Sequence, residues 1–201
     1  MFVNSYIADT KYASENLIML INDEERCLRE LKSTYALLKK RHKPLYEDFL
    51  QKDFDPDSNF SEYHLMNAFN KQASLNEKTA EVAQEIKRLE QSILTKQESI
   101  KSLSGALLQI AKQGLSLVHG KLSDCPNGRS INGEFIKVII WQGRNQSLHF
   151  EDGHFRKPVE QCFKKINIPL EKKNLAKEII DLLGWRNYKQ YESDLMLLLQ
   201  P

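Results

Sequence analysis

Along the first part of the chain, apolar residues recur at alternating intervals of four and three. Leu17, Ile21, Leu28, Leu31, Tyr35 and Leu38 follow this spacing, with Glu24 in the one polar slot. It keeps one stripe facing a partner helix as the backbone winds, which is the seam that a coiled coil requires. The pattern predicts a long helix that ends near Pro44 or a few residues beyond, before Asp53-Phe54-Asp55-Pro56-Asp57. A second helix is expected from Asn59, where Glu62 three residues later completes a capping box. It should run to about His119. Its seam is Val82, Ile86, Leu89, Ile93, Ile100, Leu103, Leu107 and Ile110, with Lys96 in the polar slot. Two such helices joined by a short loop are expected to fold back as an antiparallel hairpin, each covering the stripe of the other.

The pattern changes at Asp124-Cys125-Pro126-Asn127-Gly128, whose residue types mark a loop. Beyond it the predicted helices are shorter. One covers about Gly133 to Phe150 and is stopped by Gly153 and Pro158. Another covers about Pro158 to Lys165. A third spans about Leu170 to Leu183, between Pro169 and Gly184, and the last about Tyr188 to Leu199. No strand-like alternation competes with these. The expected fold is all-α, with a coiled-coil hairpin as an extension over 1–102 and a compact helical domain over 103–201.

Composition adds limits rather than detail. A hydrophobic content of 41%, a charged content of 28% and only 8 Gly and 6 Pro suit a folded helical chain. The net charge of +2 is too mild to point to nucleic acid unaided. A local basic run does exist, in which Arg156, Lys157, Lys164, Lys165, Lys172 and Lys173 face only Glu160 and Glu171. It makes Arg156 and Lys157 candidate RNA contacts once another feature points to RNA. The three cysteines are far apart and form no CxxC pair, so neither a zinc knuckle nor a disulfide framework is expected. His149, His154 and Cys162 match no common metal-ligand spacing, and no metal or cofactor is expected. The start lacks a basic segment followed by an apolar core. No apolar run approaches the roughly 20 residues of a membrane span. A cytoplasmic protein with no membrane partner is expected.

The segment from Glu134 to Phe150 carries the chemistry. On a helix, Phe135, Ile136, Ile139, Ile140, Gly143, Ser147 and Phe150 gather on one side as a core stripe. Gly143 and Ser147 are small enough to admit a neighbouring helix. Asn145 and His149, four residues apart, stack on the roughly opposite face, flanked by Trp141 and Leu148. Arg144-Asn145 followed by His149 resembles the Arg-x(4–6)-His motif of the HEPN superfamily, in which a polar residue, often Asn, follows the Arg. The apolar approach Ile139-Ile140-Trp141-Gln142-Gly143 and the acidic exit Glu151-Asp152-Gly153 are similar to members of that family as well.

The resemblance covers roughly 103–201 and implies a HEPN-like helical bundle. Such domains are frequently metal-independent endoribonucleases of toxin–antitoxin, antiphage-defence and CRISPR-associated systems. They typically form homodimers in which two copies of the motif line one cleft. It implies RNA as substrate, Arg144, Asn145 and His149 as catalytic residues, and an antitoxin or defence-system protein as partner, with the N-terminal hairpin as its docking element. Where some members carry a Tyr that a partner nucleotidyltransferase modifies, this chain has Glu151, so that control is not expected. The alternative is a non-catalytic helical module for interaction, dimerisation or RNA binding, since some members have lost activity.

The residue types suit the reaction. Imidazole exchanges protons near neutral pH, guanidinium offers a fixed fork to phosphate oxygens, and the amide can orient either. Arg144 and His149 nevertheless point about 140° apart on a regular helix. The arginine must wrap round, the helix must distort, or Arg144 must serve a site completed by a second subunit.

Overall fold

The computed structural model describes residues 3–52 and 62–200, and the loop that contains Asn59 lies outside them. Among the described residues the fold is all-α, with six helices. These are α1 (Val3–Lys52), α2 (Glu62–His119), α3 (Ile136–His149), α4 (Lys157–Lys165), α5 (Ala176–Leu183) and α6 (Tyr188–Leu198). A minimal antiparallel ribbon, β1 (Ser130–Ile131) and β2 (Glu134–Phe135), precedes α3. None of the described helices is long and apolar enough to cross a membrane.

The chain divides into two compact units, Arg26–Gln97 on the one hand and Met1–Glu25 with Glu98–Pro201 on the other. In the first, the seam positions Leu28, Leu31, Tyr35 and Leu38 of α1 and Val82, Ile86, Leu89 and Ile93 of α2 are half-buried. Off-seam residues such as Leu37 and Leu94 are exposed. The Tyr35 hydroxyl donates to Glu90 Oε1 at 2.7 Å, which ties α1 to α2 within this unit.

In the second unit the start of α1 packs on the end of α2. Tyr6, Ile7, Ile18 and Ile21 are buried, as are Ile100, Leu107, Leu108, Ala111 and Leu115. Tyr6 donates to the Ile110 carbonyl at 2.6 Å. Its ring lies against Gly114, where an added Cβ would come within 2.5 Å of Cε1. Residues 1–25, which the sequence reading grouped with the extension, therefore cluster with the residues that carry the motif.

The same unit is centred on α3. Ile136, Ile139 and Ile140 are wholly buried, each contributing roughly 1.5–3 kcal/mol of apolar burial. Gly143 admits α5 as its small size suggests, with Ile179 only 3.0 Å from where a Cβ would stand. Beyond α5, Asp194 of α6 is buried and accepts from Arg129 Nε and Nη2, both at 2.8 Å, and from Trp185 Nε1 at 2.8 Å. The carboxylate holds the Arg129 guanidinium above its ordinary pKa.

Two local expectations are corrected. Glu134 and Phe135 belong to the ribbon rather than to the helix. Asn132 and Gly133 take positive φ of 50° and 79°, the two-residue left-handed loop that matches strand twist. Phe135 is consequently turned outward and exposed rather than in the core stripe. Residues 170–175 are likewise not helical. Asn174 Oδ1 accepts from Ala176 N at 2.9 Å in the turn before α5, whose cap residue, Leu175, makes no side-chain bond. Asn187 does cap α6, its side chain accepting from Gln190 N.

Candidate functional site

With one side of α3 committed to the core, the other borders a cleft of about 540 Å³. From α3 it takes Trp141, Gln142, Arg144, Asn145 and His149, and from the segment after the helix Asp152, His154, Phe155 and Arg156. Pro158 and Val159 close it, so the first turn of α4, with its partial positive charge, also faces the space.

Arg144 is held from α2. Its Nε donates to Gln109 Oε1 at 2.5 Å and its Nη1 to Asn145 Oδ1 at 3.4 Å. Asn145 Nδ2 in turn donates to Gln142 Oε1 at 3.3 Å. These neutral partners steer the fork without neutralising it. Burial pulls the guanidinium below its ordinary pKa, although an arginine remains charged throughout the accessible range. Lys112, also on α2, sits with Nζ 4.4 Å from the centroid of the Trp141 ring. Burial lowers its pKa first, and the nearby Arg144 charge lowers it further.

His149 closes α3 with φ −117° and ψ 17°, where the helix gives way to the 3-10 turn Phe150–Asp152. Arg144 and His149 nevertheless line one cleft within a single chain. His149 Nδ1 lies 3.5 Å from Asp152 Oδ2, with both side chains well exposed. Nε2 is the nitrogen left to meet a ligand.

Of the residues expected from sequence, Arg144, Asn145, His149 and Arg156 line the cleft; Lys157 does not, and is exposed at the start of α4. Sequence reasoning weighed His154, which lines it, only as a metal ligand, and missed Gln109 and Lys112, which support it. Histidine five residues after the end of the motif helix was a visible signal for the first. Nothing local marks the other two, since their partners lie on α3. Gln146, inside the motif, serves the core instead. It is fully buried, donates from Nε2 to the Lys173 carbonyl at 2.8 Å and accepts at Oε1 from Leu175 N at 3.0 Å.

Cys162 is buried in α4 and does not line the cleft, and burial pushes its thiol up to about 12. His149, His154 and Cys162 therefore do not converge. No group of three or more His, Cys, Asp or Glu among the described residues is placed to hold a metal.

Fold and cleft together define a helical protein whose surface pocket joins guanidinium, amide and imidazole groups, a set suited to an anionic ligand that exchanges protons. No protein-family model matches the chain, nor does any curated protein or solved structure.

Proposed function

We propose that this protein is a metal-independent endoribonuclease of the HEPN type, cytoplasmic and acting as a homodimer in a toxin or antiphage-defence role. The single observation that supports it most is the convergence of Arg144, Asn145 and His149 on one cleft that also contains Arg156. In this reading a phosphodiester lies against the Arg144 and Arg156 guanidiniums. His149 Nε2 takes the proton from the 2′-hydroxyl, whose oxygen attacks phosphorus. The bond to the 5′-oxygen breaks, and that oxygen receives a proton from a second, protonated imidazole. The products are a 2′,3′-cyclic phosphate and a 5′-hydroxyl. Charge on the phosphorane is met by Arg144, steered by Gln109 and Asn145.

In the homodimer the second imidazole is His149 of the partner subunit, and the Arg26–Gln97 unit is the surface for an antitoxin or defence-system protein. The test is incubation of the purified chain with RNA in EDTA. Wild type cleaves, leaving cyclic phosphate ends, and His149→Ala loses at least 100-fold. His154→Ala keeps most of the activity if the second imidazole comes from the partner. Absence of cleavage by wild type, or equal cleavage by His149→Ala, overturns the proposal.

A further inference from the structure

The two tryptophans are used differently. Trp185 is buried, donates its N–H to Asp194 at 2.8 Å and packs edge-on against Tyr191 at 4.8 Å between centroids. Its role is complete within the fold. Trp141 is half-buried and borders the cleft, and its N–H meets no acceptor among the described residues. A large aromatic ring left partly in solvent, with its polar atom unused, lacks a packing explanation.

The ring is nevertheless held. Gln109 and Lys112 are three residues apart on α2, and Arg144 and Trp141 are three apart on α3, so each pair shares a helix face. Gln109 grips Arg144 and the Lys112 ammonium lies on the Trp141 ring. No carboxylate neutralises Lys112 or Arg144 among the described residues. α2 thus fixes a flat aromatic surface beside a phosphate-directed fork, with His149 in the same cleft.

We propose that Trp141 is a nucleobase platform, on which an unpaired base next to the phosphate at Arg144 stacks. The inference rests on the ribonuclease reading and narrows it to single-stranded RNA, because bases within a duplex already have both faces covered. Stacking on an aromatic residue also tolerates any base, so Trp141 supplies affinity and strand state rather than strict sequence choice. Lys112 and Gln109 act as positioning residues.

The test uses the full chain and 2′-O-methyl oligoadenylate, which lacks the attacking hydroxyl and stays intact. Titration should quench the tryptophan fluorescence of wild type saturably. Trp141→Phe should retain binding of a labelled oligonucleotide within about threefold while losing the quenching. Trp141→Ala should bind roughly tenfold more weakly, and a 2′-O-methyl duplex should quench little. Circular dichroism checks the fold of each variant; if the Ala variant unfolds, loss of quenching in a folded Phe variant decides. Unchanged affinity of a folded Trp141→Ala, quenching retained in Trp141→Phe, or equal quenching by duplex overturns the platform. If it falls while His149-dependent cleavage in EDTA persists, the ribonuclease reading stands alone. If wild type neither binds the oligonucleotide nor cleaves RNA in EDTA, both fall.

Discussion

Replacing Gln146 by Leu keeps most of the side-chain volume but removes both hydrogen bonds, whereas replacing Asn145 by Ala removes two long contacts at the edge of a cleft. The adjacent amides should therefore respond in opposite ways. Gln146 is wholly buried, and its loss strands the buried Leu175 N–H and the partly buried Lys173 carbonyl. One stranded buried group costs about 1–3 kcal/mol. Allowing for the gain of an apolar side chain, Gln146→Leu should lower stability by about 2–3 kcal/mol. Asn145 bonds at 3.3 and 3.4 Å to groups that reach the cleft. Alanine also favours the helix by about 0.5 kcal/mol, so Asn145→Ala should leave stability within about 0.5 kcal/mol of wild type. The assay pairs urea denaturation, followed by circular dichroism, with RNA cleavage in EDTA under conditions where each variant is folded. Asn145→Ala should lose at least tenfold in cleavage rate with an unchanged midpoint. Gln146→Leu should shift the midpoint and cleave within about threefold of wild type. An unshifted midpoint in Gln146→Leu would refute the assignment of that amide to the core. A shift as large in Asn145→Ala would refute the division of labour.

Other outcomes can be read in the same assays. Asp194→Asn should cost about 2–3 kcal/mol, because Arg129 loses its counter-charge but is partly exposed; Trp185 fluorescence should report the change. Gly105→Ala should stabilise α2 by about 0.5–1 kcal/mol, since the new Cβ meets only ordinary contacts at 3.7–3.9 Å. Gly143→Ala should instead destabilise by about 1 kcal/mol, because its Cβ would stand 3.0 Å from two Ile179 carbons and the cost of crowding exceeds the gain in helix propensity. Burial raises the Cys162 thiol to about 12. The folded chain therefore keeps a proton that the unfolded chain releases near pH 8.5. This contribution to stability is complete below that pH and is lost as pH rises towards 12. Comparing wild type with Cys162→Ala across that window should reveal the difference in slope.

Local punctuation made most helix ends legible. Proline at 158, glycine at 184 and the turn residues around 126 mark real boundaries because they act on the backbone of their own segment. The same kind of signal was overlooked at Asn132-Gly133, where two residues suited to positive φ separate the ribbon strands. Residues 170–175 failed for another reason. Their apolar positions resemble a helix, but they are held open by a buried amide from α3. The Arg144, Asn145 and His149 cluster could be read from spacing because it lies within one helix. Its supports from Gln109 and Lys112 could not, since pairing of α2 with α3 leaves no periodic trace in either. Arg129 and Asp194 escaped notice likewise, being 65 positions apart.

Because the unit that bears the cleft draws on both Met1–Glu25 and Glu98–Pro201, it is discontinuous in sequence. A fragment beginning at 103 retains the whole motif but forfeits Tyr6, Ile18 and Ile21 from its interior. During synthesis, the first turns of α1 must likewise wait for α2 before finding their packing partners, as the Tyr6 bond to Ile110 illustrates. Folding of the nascent chain into its cleft-bearing form is thus deferred by the order in which its parts are made.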